Sequence, residues 1–259
     1  MNIVVCIKHV PDAQGDRSFE SDQTTDRESV DGLLSELDEY ALEEALKIRE
    51  TGEGEITVLT MGPAKAADAI KKALQMGADK GVHVLDDALA GSDAPATSLV
   101  LAEAIKKIGI PDLVITGMAS TDGTMSVVPA MLAERLGISQ VTFASELTLT
   151  GGTATIRRDG DIATEIIETK LPALVSVTDQ INEPRYPSFK GIMAAKKKPV
   201  ETWGLGDLGV DAGQVGLDAA WTKVLSSAKR PPRDKGLIVT DDGLGGAVLA
   251  QFLASQKFV

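Results

Sequence analysis

Hydrophobic and polar positions change their period along this chain, and over the first half they predict strands and helices in alternation. Residues 2–8 form a continuous apolar run of strand length, typical of a strand covered on both faces. Residues 36–50 place their apolar side chains on one helical stripe. The alternation continues with predicted strands at 55–61, 81–85 and 112–116 and predicted helices from Gly62-Pro63 to Met76, at 96–108 and at 125–136. Strands separated by helices predict right-handed crossovers and a doubly wound, mostly parallel α/β sheet.

After about residue 140 the helical spacing gives way to strict alternation of polar and apolar residues. Segments 146–150, 153–158 and 161–168 alternate in this way, with Gly151-Gly152 and Asp159-Gly160 as turns between them. The pattern predicts an antiparallel meander appended to the same domain, closed by one more apolar strand at 172–178.

The last part of the chain carries no comparable pattern. From residue 182 to about residue 247, Pro, Gly and charged residues interrupt every apolar run. Such a stretch is hard to pack by itself and suits an extended arm over a partner chain. We therefore predict an α/β domain with antiparallel strands at 1–180, and a region at 181–259 with a docking loop and a C-terminal arm.

The composition excludes several classes of function. The formal charge of −12 argues against nucleic acid, because neutralising phosphates requires clustered Lys and Arg. The single cysteine, Cys6, permits no intrachain disulfide, and the two histidines lack metal-ligand spacing, so no metal site is expected. No hydrolase, metalloprotease or P-loop motif is present, and no apolar run approaches the ~20 residues of a membrane span. The sequence shows no signal or transit peptide, so we expect a cytoplasmic protein without direct membrane insertion.

One loop offers a place for a ligand. In open α/β sheets, ligands bind at the carboxyl ends of the strands, and residues 117–126 lie between a predicted strand and the next predicted helix. The glycines of this loop allow close approach of the backbone, its Ser and Thr supply hydroxyl donors, and the helix N-terminus favours an anion. A phosphate therefore fits, while a plain turn capped by one of residues 120–122 is the alternative. The loop contains no lysine, which favours holding a nucleotide over hydrolysing one.

A series of short motifs recurs in a known order. They are VVCIKHVPD at 4–12, DEYALEEA at 38–45, GP at 62–63 leading to ALQMGAD at 73–79, KLPA at 170–173, and NEPRY at 182–186 followed by GIMAAKKK at 191–198. Each motif alone is unspecific. Together, in this order and spacing, they resemble beta subunits of electron transfer flavoproteins, and the match extends from residue 2 to at least residue 210.

The resemblance implies a heterodimer with a Rossmann-like, adenine-nucleotide-binding fold in this chain. The alpha subunit would hold the redox-active FAD in a mobile domain, and the beta subunit would be a platform without catalytic residues that buries an AMP. The implied partners are flavin-dependent dehydrogenases, such as the acyl-CoA dehydrogenases of fatty acid oxidation, and a membrane quinone oxidoreductase as acceptor. The alternatives are a bifurcating-type subunit with a second FAD in place of AMP, and a stand-alone adenine-nucleotide-binding enzyme or sensor.

By the match, the nucleotide site combines four segments. The residues are Cys6; Ser35, Glu36, Leu37 and Asp38; Met61; and Gly117, Met118, Ala119, Ser120, Thr121, Asp122, Gly123, Thr124, Met125, Ser126, Val127 and Val128. The chain departs from the family pattern at residues 35–37, where many members have Asn-Pro before an aromatic, and at residues 118–119, where they have Lys-Gln. These departures leave both AMP and FAD open.

The same match implies two contacts with partners. Phe189, followed by Ile192 and Met193, falls where family members insert an apolar side chain into a dehydrogenase pocket, with the lysines at 196–198 around it. The alternatives are a Phe189 side chain packed back onto its own sheet and a merely solvated lysine run. Asp159 matches an acidic residue that pairs with an arginine of the alpha flavin domain, and a plain turn residue is the alternative.

Overall fold

The computed structural model describes residues 1–52, 54–233, 235–236 and 238–258. The chain divides into two compact units, of which the first is Met1–Leu225 and the second begins at Ser226. The strands are β1 (Asn2–Cys6), β2 (His9–Pro11), β3 (Gly32–Leu34), β4 (Glu55–Met61), β5 (Lys80–Val84), β6 (Leu113–Gly117), β7 (Ser139–Ala144), β8 (Glu146–Thr150), β9 (Thr153–Asp159), β10 (Thr164–Lys170), β11 (Ala173–Val177) and β12 (Val200–Trp203). The helices are α1 (Glu36–Glu50), α2 (Ala67–Met76), α3 (Ala94–Ile108), α4 (Val128–Leu136), α5 (Phe189–Ala195), α6 (Leu205–Leu208) and, in the second unit, α7 (Gly245–Ser255).

A seven-stranded, all-parallel sheet forms the centre of the first unit, in the order β12-β5-β4-β1-β6-β11-β7. Successive residues of β1 point to opposite faces, so Ile3 and Val5 join the core cluster beneath α1 and α2 while Val4 joins the one beneath α3 and α4. Burial on both faces explains the continuous apolar run at the start of the sequence. The predicted doubly wound α/β fold is confirmed.

Local sequence signals set the helix ends. The side chain of Asp93 accepts a hydrogen bond from the backbone N–H of Ala96 at 3.1 Å and caps α3, which also has a proline in its first turn. Helix α2 ends before Gly77, whose φ of 148° is a backbone conformation that glycine adopts without steric cost. Helix α1 spans the predicted residues, whereas α4 begins at Val128 and not at residue 125.

The antiparallel meander is confirmed as a separate three-stranded sheet in the order β10-β9-β8. Gly151 and Gly152, with φ of 57° and 77°, form the two-residue turn between β8 and β9. The next turn is longer than predicted: the N–H of Gly160 donates to the carbonyl of Ala163 at 3.0 Å, and β10 begins at Thr164 and not at residue 161.

Strand β11 lies elsewhere than predicted. It does not close the meander but enters the main sheet between β6 and β7, where all five of its residues are buried. Its unbroken apolar character suits this central place, because a strand of the half-exposed meander would alternate. The expectation of a meander strand at 172–178 was therefore wrong in placement, although the strand itself exists.

Residues 181–225 contribute to the compact first unit. Strand β12 pairs with β5 at one edge of the sheet, and Trp203 at its end is 9% exposed. In the second unit, α7 carries exposed apolar side chains, including Leu249 and Phe252. Among the residues that the structure describes, no helix has the length and apolarity needed to cross a membrane.

Candidate nucleotide site

The order in which the strands are added to the sheet reverses between β1 and β6. These strands are neighbours, yet the strands that follow β1 along the chain extend to one side and β11 and β7 extend to the other. Such a switch point leaves a crevice at the carboxyl ends of the two strands, where ligands of open α/β sheets bind. The structure brings three of the four predicted segments to this place: Cys6 at the end of β1, residues 35–38 at the start of α1, and the loop that follows β6.

The predicted residues differ in exposure within this crevice. The buried ones are Ser35, Asp38 and Gly117, and the exposed ones are Glu36, Gly123, Thr124 and Met125. The others are half-buried as whole residues: Cys6, Leu37, Met61, Met118, Ala119, Ser120, Thr121, Asp122, Ser126, Val127 and Val128. Cys6, Met61 and Val128 all pack against the core cluster on the α3 and α4 side. The three side chains therefore lie on one face of the sheet, at the carboxyl ends of β1 and β4 and at the start of α4.

Asp38 joins the three segments of the crevice. Its Oδ2 accepts a hydrogen bond from the backbone N–H of Lys8 at 2.8 Å, and Ser35 donates its N–H to the carbonyl of Lys8 at 2.9 Å. A Cβ on Gly117 would lie 2.7 Å from Asp38 Oδ1 and 2.8 Å from the carbonyl oxygen of Leu37. Glycine is required here because the end of β6 approaches the first turn of α1 so closely.

Burial has the largest effect on the pKa values of the two titratable side chains at this junction, Asp38 and Cys6. It raises the pKa of Asp38 to about 7, against the opposing effects of the Lys8 N–H and the Lys8 charge. Burial also raises the pKa of the Cys6 thiol to about 12, with a further contribution from the charge of Asp38. Because the thiol stays protonated at neutral pH, Cys6 is not a nucleophile in this protein and packs as a small apolar side chain.

The loop after β6 is held in a specific conformation. The N–H of Thr124 donates to the carbonyl of Ser120 at 2.9 Å, and that of Gly123 donates to Asp122 Oδ1 at 2.7 Å. Thr124 and Ser126 have positive φ values of 51° and 57°, which is costly for residues with a Cβ and rare for a β-branched one. Backbone strain of this kind recurs where a loop clamps a ligand.

The alternative of a plain capped turn agrees with part of the structure: Ser120 Oγ and Asp122 Oδ1 accept from the backbone N–H of Gly123 at 3.3 Å and 2.7 Å, but this turn does not cap α4. The residue before α4 is Val127, and no side chain caps this helix. Residues 120–122 lie several positions upstream and bond to one another and to the rest of the site. The N–H groups of the first turn of α4, other than the position of Pro129, therefore have no side-chain cap and could donate to an anion.

Three basic residues from outside the loop surround it. Lys8 Nζ lies 2.8 Å from Asp122 Oδ1, and Arg27 Nη2 lies 2.9 Å from Asp122 Oδ2. Arg17 donates to the carbonyl of Thr121 at 2.6 Å. Burial opposes ionisation of Asp122, whose side chain is 3% exposed, but attraction to Lys8 and Arg27 outweighs it and holds the pKa of Asp122 well below its usual range.

Sequence reasoning missed this basic cluster. It noted that the loop has no lysine, which is true, yet Lys8 reaches the loop from the end of β1. Its position as the last residue of the predicted first strand, at the carboxyl end, was a signal that could have revealed it. Arg17 and Arg27 lie in an irregular segment between β2 and β3, where no periodic pattern indicates direction.

Two buried hydroxyl groups lie next to the crevice without a partner. Within the part of the chain that the structure describes, neither Ser35 Oγ nor Thr116 Oγ1 makes a hydrogen bond. Ser35 precedes α1 and Thr116 lies one residue before the end of β6. An unsatisfied buried polar group carries a cost of about 1–3 kcal/mol, so both hydroxyl groups are candidates to bond a polar ligand here.

The predicted docking residues lie outside this crevice. Phe189, Ile192 and Met193 belong to the short helix α5, with Phe189 80% exposed. Asp159, at the end of β9, accepts hydrogen bonds from Ser145 Oγ at 2.6 Å and Arg157 Nε at 3.0 Å, which help to lower its pKa. No group of three or more His, Cys, Asp or Glu in the described ranges is placed to hold a metal ion.

Replacement of Asp38 by asparagine tests the buried junction through its pH dependence. The folded protein keeps the Asp38 proton up to about pH 7, whereas the unfolded chain loses it near the ordinary value of 3.8. The folded state therefore binds more protons in this window, and the stabilisation by Asp38 falls as the pH rises from about 4 to about 7. In urea unfolding, we expect the free energy of unfolding of Asp38→Asn, taken relative to that of wild type, to be higher at pH 8 than at pH 5. Asp161→Asn, at an exposed turn, is the control, and a pH-independent Asp38→Asn difference would contradict the assignment.

Comparison with known proteins places the chain in a family. Residues 23–208 match the electron transfer flavoprotein domain. Electron transfer flavoprotein subunit beta of Mycobacterium tuberculosis is 48% identical, with 100% of this chain and 99% of the relative covered, and that of Clostridium acetobutylicum is 38% identical, with 92% of each covered. The caffeyl-CoA reductase-Etf complex subunit CarD of Acetobacterium woodii is 36% identical over 93% of this chain and 92% of its own length. Because it is similar over its whole length to electron transfer flavoprotein beta subunits, the chain belongs to the electron transfer flavoprotein family, among its beta subunits.

Proposed function

We propose that this chain is the nucleotide-holding platform of a heterodimeric electron carrier. It binds one AMP in the crevice between β1 and β6, contacts flavin-dependent dehydrogenases through α5, and leaves electron carriage to an FAD of the alpha partner. That FAD would accept electrons from dehydrogenases such as acyl-CoA dehydrogenases and pass them on, with a membrane quinone oxidoreductase as acceptor. The cytoplasmic location expected from the sequence belongs to the same proposal.

The observation that carries the nucleotide site is the donor set at the switch point. Lys8 and Arg27 together present two positive charges to the single carboxylate of Asp122, which leaves net positive charge beside the loop. The free N-terminus of α4 adds the positive end of its dipole. Ser35 Oγ and Thr116 Oγ1 remain for a sugar or phosphate, and Cys6, Met61 and Val128 for the flat face of a base. This combination fits a nucleotide.

A Gly123→Val variant tests the loop. An added Cβ at Gly123 would lie 3.2 Å from Ser120 Oγ, tight enough to disturb the turn, while φ itself permits a side chain. A ligand present at a hundredfold excess over its Kd stabilises the folded state by about 2.7 kcal/mol, so loss of the nucleotide should lower Tm by several degrees. The matched control is Gly206→Val, where a Cβ meets open space.

The readout is the nucleotide itself. After co-expression with the alpha subunit, acid release and mass spectrometry identify the bound nucleotides, and absorbance counts flavins per heterodimer. One AMP and one FAD in wild type, with AMP lost from Gly123→Val alone, support the proposal. Two FAD and no AMP favour the bifurcating alternative, and equal nucleotide content in both variants contradicts the site.

Replacing Phe189 tests docking. The side chain is 80% exposed, so removing it should leave the core intact, whereas a central apolar anchor is worth about 2 kcal/mol or more in affinity. We expect Phe189→Ala to raise the KM of the heterodimer as acceptor for an acyl-CoA dehydrogenase by more than tenfold, with Tm and nucleotide content unchanged. Phe19→Ala, at an aromatic side chain 55% exposed elsewhere, is the control. Unchanged KM in Phe189→Ala argues against α5 as the docking element.

An Asp159→Asn variant tests the contact with the alpha flavin domain. Asp159 accepts from Arg157 and Thr164 through Oδ1 and from Ser145 through Oδ2; in asparagine the remaining oxygen can serve Arg157 and Thr164, and the amide NH2 can donate to the Ser145 hydroxyl, while the charge is lost. If the charge also attracts an alpha-subunit arginine, the rate of electron transfer should fall and its dependence on salt should weaken. The neighbouring Asp161→Asn is the control for charge alone. Equal rates and salt slopes in the two variants would remove this role.

A further inference from the structure

The docking segment, residues 186–195, makes little hydrophobic contact of its own: Ala195, at its C-terminal end, packs against the core cluster on the α1 and α2 side. In α5, all of whose residues the structure describes, none is buried. Phe189 is 80% exposed and Tyr186 is 94% exposed. Apolar side chains that face solvent cannot fix the direction of the backbone that carries them. The position of the segment must therefore be set by other contacts.

Arg185 makes the strongest of these contacts. Its Nε donates to Glu43 Oε2 and its Nη2 to Glu43 Oε1, both at 2.8 Å, which is the forked geometry of an arginine–carboxylate pair. Its backbone N–H donates to the same Oε2 at 3.2 Å, and its Nη1 donates to Glu50 at 2.5 Å. The side chain of Glu43 is 7% exposed and that of Arg185 is 35% exposed, so the carboxylate is shielded from water while the guanidinium is partly hydrated. Both carboxylates belong to α1.

Asn182 adds a second attachment to the same helix. Its Nδ2 donates to the carbonyl of Tyr40 at 3.1 Å and to Glu44 Oε2 at 3.0 Å. Glu44 also lies 3.1 Å from Lys47 Nζ, so its carboxylate is shared by two donors. The chain just before the docking segment is thus bonded to α1 at two points, three residues apart.

The far end of the segment is attached to α2. Gly191 approaches α2 so closely that a Cβ there would collide with the carbonyl oxygen of Gln75. Lys198 Nζ donates to the carbonyls of Leu74 at 2.9 Å, Gly77 at 3.2 Å and Ala78 at 2.5 Å. These carbonyls lie at the end of α2, where a cation is favoured. Lys198 therefore turns inward and does not belong to the lysine rim expected around Phe189.

We propose that Arg185 is a positioning residue for partner docking: its forked pair with Glu43 fixes how the segment presents Phe189 and Met193. This inference rests on the docking role proposed above for α5. With its C-terminal end tied to α2, the segment can still swing about that attachment unless its N-terminal end is fixed as well. The Arg185–Glu43 pair fixes the N-terminal end, because two parallel hydrogen bonds hold the guanidinium in a single orientation relative to the carboxylate.

The test must separate loss of position from loss of the fold. Removing Arg185 alone leaves Glu43 buried and unpaired, which destabilises the protein for reasons unrelated to docking. The double variant Glu43→Leu/Arg185→Met removes both charges of the pair, and Glu50 is 51% exposed and can be hydrated. Arg185→Lys keeps the charge but cannot form the fork. Arg135→Met is the control, because Arg135 bonds to Ser98 on the opposite face of the sheet.

Four quantities are measured on the heterodimer with the alpha subunit, and a purified acyl-CoA dehydrogenase with its acyl-CoA substrate serves as the electron source. They are Tm, the KM and kcat of the heterodimer as acceptor, and hydrogen exchange of the amides at 189–195. We expect the double variant to raise KM about tenfold and amide exchange about tenfold or more, with kcat and Tm near wild type. The KM and amide exchange of Arg185→Lys should lie between those of wild type and the double variant, and those of Arg135→Met should match wild type.

Two failures are distinguishable. If the double variant leaves KM unchanged while Phe189→Ala raises it, α5 docks the dehydrogenase and the positioning role of Arg185 is overturned. If neither variant changes KM, the docking role itself fails, and the present inference fails with it. A rise in KM that only accompanies a lower Tm, without faster exchange at 189–195, also overturns the inference, because it reports general destabilisation.

Discussion

The close approach of β6 to the first turn of α1 organises this protein. Gly117 ends the central strand against Asp38, and Asp38 in turn accepts the backbone N–H of Lys8 at the end of β1. This junction ties the first turn of α1 to the ends of the two strands between which the strand order changes direction. It also buries a carboxyl group whose pKa rises to about 7. The fold tolerates that cost at the place where a ligand crevice opens.

Charge is arranged around the same crevice in a way that composition conceals. The chain carries a formal charge of −12, yet Lys8, Arg17 and Arg27 converge on the loop after β6. Asp122 neutralises part of this charge and is kept ionised by it. Local potential, and not net charge, decides whether an anion binds. An acidic protein can therefore offer a basic site to a phosphate.

Helix α1 serves two surfaces at once. Its first turn contributes Ser35 and Asp38 to the crevice, and its later turns hold Arg185 and Asn182 through Glu43 and Glu44. The signature motif NEPRY thus acts through polar attachments, whereas the exposed apolar residues that follow it make no comparable contact within the chain. The separation is physically sensible, because a side chain that packs on its own core is not available to a partner.

The sequence by itself determined the elements whose signal is local. Apolar periodicity predicted α1 and β4 with their observed bounds, and the glycines at 151–152 predicted the first hairpin turn, since both depend on neighbours within a few residues. Tertiary structure alone decided that β11 enters the main sheet between β6 and β7. It also decided that Lys8 meets Asp122, 114 positions away, and that Arg185 meets Glu43, 142 positions away. Contacts at such separations depend on how the sheet is ordered and wound, and no periodicity along the chain encodes that order.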